Sequence, residues 1–164
     1  MPLHRIISGG QTGVDQAALK AARLVGLQTG GWAPAGYLTE DGPAPALLRS
    51  FGLAEHESPK YPPRTRANVL EADGTLILTT NKISRGTKLT VDEAMRSGKP
   101  WKLAIEGEND VTPRDVAEWI AANGIGCLNV GGPRDSSAPG FGEKAERFLE
   151  RVFRLAVGDG EATG

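Results

Sequence analysis

Short apolar runs and amphipathic stretches take turns along this chain, and that alternation restricts the fold more than any other feature. Leu3–Ser8, Gly74–Thr79, Trp101–Ile105 and Cys127–Val130 read as short buried strands. Leu27–Trp32 reads as another. Helical spacing fills the gaps. Val14, Ala17/Ala18, Ala21 and Leu24/Val25 share a face, and Gly26 stops that helix. Arg64–Ala72 reads as a short helix, and Thr87–Arg96 as a longer one ended by "SGKP". Thr112 is an N-cap, with Pro113 at the first helical position and Asp115 three residues after the cap. The last helix carries Phe141, Ala145, Phe148/Leu149, Val152 and Ala156 on one stripe. Strands alternating with helices make an α/β protein: a mostly parallel sheet covered by helices on both faces.

The chain has 164 residues and a formal net charge of −1. That length suits one domain, expected over residues 1–157, followed by a flexible tail over 158–164. The charge balance argues against a dedicated nucleic-acid binder, which carries a basic face. No stretch resembles a signal peptide or a membrane span, and the single cysteine, Cys127, allows no internal disulfide. The expectation is a cytoplasmic protein. Six of the 11 prolines fall between Pro34 and Pro63. That stretch is expected to hold no core element beyond a short helix near Ala46–Ser50, and to serve as a lid over a ligand.

Ligands of open parallel sheets bind outside the carboxyl ends of the strands. Three loops lie there. In "SGGQTGVD", Gly9 and Gly10 let a ligand approach the backbone, and a helix opens near Gly13 with its free N–H groups and positive dipole end. The spacing is neither G-x-G-x-x-G nor a P-loop. A tight turn without a ligand is the alternative, and Asp15 is either a ligand contact or a first-turn acid favoured by the dipole. In "SRGTKLT", Gly86-Thr87 starts a helix between Arg85 and Lys88, which is either a phosphate cradle or a solvated basic turn. In "NVGGPRDSSAPGFG", paired glycines, Arg134 and Gly140 repeat the pattern of the first loop. Arg64 and Asn68, four apart on a helix, form a candidate polar pair facing the same groove. Together the loops indicate a groove for an anionic, phosphorylated small molecule.

Other chemistries are less supported. His4 and His56 have no partners at metal-ligand spacing. There is no G-x-S-x-G, and Cys127 reads as a buried thiol. Asp92 and Glu93 read as a solvated helix face, with a general base as the alternative. Trp32 and Tyr37 are candidates to stack on a flat ring, with core packing as the alternative.

As a set, "IISGGQTGVDQAAL", "GGWAPAGYLTEDGP", "RTRANVLEADGTLIL", "SRGTKLT" and "NVGGPRDSSAPG" resemble the molybdenum cofactor carrier family. That family sits in the superfamily of the lysine decarboxylase-like phosphoribohydrolases and DprA. The resemblance spans Leu3 to Phe153. It implies a Rossmann-like three-layer sandwich that binds the molybdenum cofactor, with a nucleotide as the alternative ligand. It also implies a homo-oligomer, tetramer or dimer, whose partners are molybdoenzymes or cofactor-synthesis proteins. Carried over, it places Gly9, Gly10, Gln11, Thr12 and Gly13 on the ligand, with Ser84, Arg85, Gly86 and Thr87, and with Gly131, Gly132, Arg134 and Gly140. The phosphoribohydrolases carry P-G-G-x-G-T-x-x-E, whose glutamate serves catalysis. Here its place is Thr90, so a carrier is expected rather than an enzyme, with Glu93 as a distant substitute acid. Arg85→Ala and Gly10→Asp are each expected to weaken binding without unfolding the chain.

Overall fold

The computed structural model describes residues 2–158, so residues 159–164 of the expected tail lie outside the described residues. One six-stranded sheet organises the chain. Its strands are β1 (Arg5–Ile7), β2 (Gln28–Ala33), β5 (Leu53–Glu55), β6 (Gly74–Thr79), β7 (Trp101–Ile105) and β8 (Cys127–Gly131). The spatial order is β5-β2-β1-β8-β6-β7, and every pairing is parallel. Ile6 aligns with Thr29 on one side and Leu128 on the other. A separate two-stranded hairpin pairs β3 (Leu38–Thr39) with β4 (Gly42–Pro43).

Alternation along the strands separates two unlike faces. Ile6, Leu76, Leu78, Leu128 and Val130 point to a dry core shared with α1 (Val14–Val25), α5 (Pro113–Ala122) and α6 (Phe141–Ala156). Helix α1 carries Val14, Ala17, Ala18, Ala21 and Ala22 into it. The alanines let α1 approach the sheet and α6 closely. Helices α3 (Tyr61–Glu71) and α4 (Arg85–Ser97) cover the opposite face. There polar residues are buried beside apolar ones: Thr65, Asn68, Thr75, Thr87, Thr90, Glu93 and Asn129 lie with Ile7, Val69, Ala72, Ala94 and Cys127. This is a Rossmann-like three-layer α/β fold. Among the described residues no helix is long and apolar enough to cross a membrane.

The proline-rich stretch departs from expectation. It adds β5 to the sheet edge, forms α2 (Pro45–Ser50), and contributes Tyr37, Leu48, Phe51 and Leu53 to a second apolar cluster with Leu19 and Ala33. Its prolines occupy positions that need no N–H. Pro45 and Pro62 sit in the first turns of α2 and α3, and Pro43 in the small hairpin. Pro62 and Pro63 lie in the first turn of α3, which starts at Tyr61, three residues before the expected start at Arg64. The capping box at Thr112 forms in full: its side chain accepts from the Asp115 amide, and Asp115 accepts from the Thr112 amide.

Burial sets the expected response to mutation. Leu149→Ala empties a fully buried position of α6 and costs about 2–5 kcal/mol. Thr112→Ala removes a cap and costs about 1 kcal/mol. Urea unfolding of both variants checks the ratio.

Candidate functional site

The strand order reverses between β1 and β8. The chain leaves β1 toward β2 and β5 on one side, while β6 and β7 lie beyond β8 on the other. The loops after β1, β8 and β6 therefore lie side by side, at the place where such sheets bind ligands. A cleft of about 610 Å³ opens there. Of the residues expected at the site, it is lined by Gln11, Asp15, Arg64, Ser84, Arg85, Gly86, Thr87, Gly132 and Arg134. Gly9, Gly10, Thr12, Gly13, Asn68, Gly131 and Gly140 do not line it.

The glycines outside the cleft have packing reasons. A Cβ at Gly10, where φ is +75°, would lie within 2.9 Å of Leu48 and Leu53 side chains, so Gly10 faces the second apolar cluster. Gly10→Asp therefore puts a charge into that cluster and is a folding variant, not a clean binding variant. A Cβ at Gly13 would lie 2.4 Å from the Pro133 carbonyl oxygen. Gly131 packs against Thr90, and Gly140 is the left-handed residue that opens α6. Gly132 does line the cleft, but it also lets β8 pass the Leu78 carbonyl, 2.2 Å from where a Cβ would stand. Asn68 is buried with its amide on the Trp32 backbone, accepting from N at 2.8 Å and donating to O at 3.0 Å. It braces β2 against α3 and does not face the groove.

The first loop is not an open nest of amides. Gly10 N–H donates to Ser8 Oγ, Gln11 N–H to Asp15 Oδ2, and Thr12 N–H to Gln11 Oε1. Val14 N–H donates to the Pro133 carbonyl, and Gln16 N–H to the Gln11 carbonyl. The anion on this loop is the protein's own: the Asp15 carboxylate accepts from the amides of Gln11 and Gly9. Burial pushes the Asp15 carboxyl up from 3.8 to about 6, against the opposing pull of Arg64 and those two amides.

Arg64 is the nearest cation, with Nη1 3.7 Å from Asp15 Oδ2. Its guanidinium stands 5.2 Å from the Tyr61 ring centroid. Gly9 leaves it room, since a Cβ there would lie 2.0 Å from Arg64 Nη1. Arg64 Nε is buried and has no hydrogen-bond partner. Burial lowers the basicity of Arg64, and Asp15 and Tyr61 oppose that. On the far wall, Ser84 Oγ caps α4 by accepting from Thr87 N–H at 3.3 Å. The amides of Arg85 and Gly86 have no partner within the helix and stand at its positive end. Arg64, Arg85, Lys88 and Arg134 outnumber Asp15 and Asp92 along the cleft.

Sequence reasoning missed Glu40 and Tyr61. Glu40, at the tip of the small hairpin, accepts from Thr12 Oγ1 and from both N and Oγ of Ser136. Its carboxyl is held below the usual range although burial opposes this; the Ser136 and Thr12 hydrogen bonds and Arg134, 3.7 Å away, outweigh it. The Glu40 amide donates to Gln11 Oε1. Of the segment expected to act as a lid, only Tyr61 and Pro62 line the cleft. Tyr61 lies one helical turn before Arg64 in α3, and it was missed because the expected helix began only at Arg64. Glu40 had none, because its contacts are distant in sequence. Tyr37 is buried in the second cluster, and Trp32 donates from its ring to Glu71. Glu93 is not on a solvated face: it is buried and paired with Arg66 at 3.2 Å and Arg96 at 3.4 Å. Among the described residues no group of three or more His, Cys, Asp or Glu side chains is placed to hold a metal ion.

A family model described as the circularly permutated YpsA SLOG family matches residues 6–153. The chain belongs to that family. Its fold is similar to the crystal structure of a Syntrophus aciditrophicus SB protein named "Putative molybdenum carrier protein". The two share 36% identity with a TM-score of 0.79, over 93% of this chain and 96% of that one. None of the curated proteins compared with the chain matches it.

The crowding at Gly9 gives a test of this geometry. Gly9→Ala displaces the Arg64 guanidinium and removes its pull on Asp15. The Asp15 carboxyl, near 6 in the parent chain, then titrates higher, as carboxyl-detected NMR across the pH range will show.

Proposed function

We propose that the protein binds the molybdenum cofactor as cargo, in the cleft at the carboxyl ends of β1, β8 and β6, and carries or protects it. One observation carries the reading. Arg64, whose buried Nε has no partner, lines a cleft rich in cations and closed on one side by the start of α4. A buried charged donor left unpaired is costly, so a site that keeps one is built for an incoming acceptor. The phosphate and oxo groups of the cofactor supply acceptors of that kind, and Tyr61 offers a ring face beside them. The Syntrophus aciditrophicus relative is named a molybdenum carrier, which supports a molybdenum-containing cargo.

In this reading Arg64, Arg85, Ser84, Gly86, Thr87 and Arg134 hold the anionic groups. Gln11, Thr12, Gly9 and Gly13 shape the wall behind them. Carriage fits the donor set better than glycosidic cleavage. Thr90 stands where related phosphoribohydrolases have a glutamate, and its hydroxyl donates to the Gly86 carbonyl. Glu93 is held by Arg66 and Arg96. The wider proposal is a cytoplasmic homo-oligomer that passes cargo to molybdoenzymes or receives it from cofactor-synthesis proteins.

The test is cargo content. The protein is purified under reducing conditions from cells that make the cofactor, denatured and oxidised, and assayed for fluorescent pterin and for molybdenum. Pterin near one per chain is expected. Arg64→Gln and Arg85→Ala are each expected to bring it well below one per chain while leaving the circular dichroism unchanged. Folded protein without pterin refutes the cargo, and base release from nucleoside monophosphates then tests the nucleotide alternative.

A further inference from the structure

Asp15 and Arg64 share one small volume with two unequal edges. Asp15 Oδ2 holds the Nη1 edge of the guanidinium at 3.7 Å, and the Nε edge has no partner. Tyr61 covers a face and Gly9 leaves no room to retreat, because the guanidinium already fills the space of a Cβ. Both residues line the cleft, so an anion that pairs there with this guanidinium comes close to the Asp15 carboxylate across a single cation. Two anions around one cation in a buried site repel, and protonating one removes the repulsion.

We propose that Arg64 is the docking point for an oxyanion of the ligand, and that Asp15 takes up a proton when that anion arrives. This rests on the reading of the cleft as an anion site, and it assigns that site a subsite and a proton. The charged and titratable groups around Asp15 are few. Arg64 and Tyr61 come from α3, and Arg85, Lys88 and Asp92 from α4. Arg134 comes from the loop after β8, and Glu40 from the hairpin, where Thr12 and Ser136 already bind it. His4 and His56 do not line the cleft. Asp15 in the free protein titrates at about 6, so at neutral pH it is mostly ionised and a proton is there to be gained.

The sign follows from linkage. A bound anion raises the Asp15 pKa above its free value of about 6. Affinity then rises as pH falls from the bound-state value toward about 6, by up to about tenfold per pH unit for one proton, and levels off below it. By the same linkage, Asp15→Asn imitates the protonated state and still offers an acceptor to the Gln11 amide.

Sulfate is the probe, because its charge stays constant between about pH 5 and about pH 8 while an ordinary imidazole or phosphate would titrate. Calorimetric titration of the full chain, in paired buffers of different ionisation enthalpy, counts protons directly and needs no variant. The expected result is proton uptake on binding and affinity that rises as pH falls. Asp15→Asn should bind sulfate more tightly than the parent at about pH 8 and take up no proton. Arg64→Gln should weaken sulfate by about tenfold or more. Circular dichroism and thermal melts establish that both variants are folded. Sulfate binding without proton uptake overturns the coupling and leaves the anion cleft standing. An unchanged affinity in Arg64→Gln overturns the docking point. Proton uptake that persists in Asp15→Asn assigns the proton elsewhere and overturns Asp15's part. No sulfate binding at any pH overturns subsite and anion cleft together. Sulfate coupling in a protein that carries no pterin refutes only the cargo.

Discussion

A buried ion pair between the first turn of α1 and the start of α3 is the constraint on which the ligand side of this molecule depends. Asp15 and Arg64 come from opposite faces of the sheet and meet at its carboxyl edge. Each is costly to bury alone, and removing one partner of such a pair costs about 3–5 kcal/mol. The geometry around them follows. Gly9 has no side chain because the guanidinium takes its place. The amides of Gly9 and Gln11 turn inward to the carboxylate. Tyr61 lies along the guanidinium face. The first glycine-rich loop is thus shaped around an internal anion, the Asp15 carboxylate.

The regular elements were legible because their signals are local. β6 and β7 run over the residues that apolar runs and flanking turns delimit, and α5 starts at the Thr112 cap. The prolines misled for a local reason too. Proline is excluded from ladder and helix-interior positions, but not from first turns or an outer hairpin. Once Pro45 and Pro62 are assigned to first turns, the apolar residues Leu48, Phe51 and Leu53 between them are free to build a core cluster and an edge strand. Composition shows how many prolines a segment has. It does not show which backbone groups they would interrupt.

The site was legible as a place and less so as chemistry. Glycines after β1 and β8 and a basic turn after β6 located the cleft, because strand carboxyl ends converge in any such sheet. What the glycines do was not readable. Gly10 and Gly13 are short because neighbouring side chains or backbone are close, and that proximity comes from residues far along the chain: Leu48 and Leu53 for one, Pro133 for the other. The same holds for Asn68. Its spacing from Arg64 puts both on one turn of α3, yet the edge of β2 claims its amide. Glu40 tightens the wall from a hairpin that only the fold brings near. Sequence periodicity gives directions on one element, and these contacts lie between elements.

The two faces of the sheet divide the labour in a way that permits such a site. The α1–α5–α6 face is a continuous dry cluster running from Leu3 to Phe153, and hydrophobic burial of that kind is the main favourable term in folding. The α3–α4 face carries Asn68, Thr75, Thr87, Glu93 and Asn129 in buried positions, where polar groups contribute little net stability. Apolar burial, largest on the α1–α5–α6 face, offsets costly groups at the carboxyl edge: a carboxyl pushed up to about 6, and a guanidinium nitrogen with no partner. Those groups face the cleft and not the dry core. Under the proposed reading, a ligand that supplied an oxyanion there would stabilise the fold as it binds.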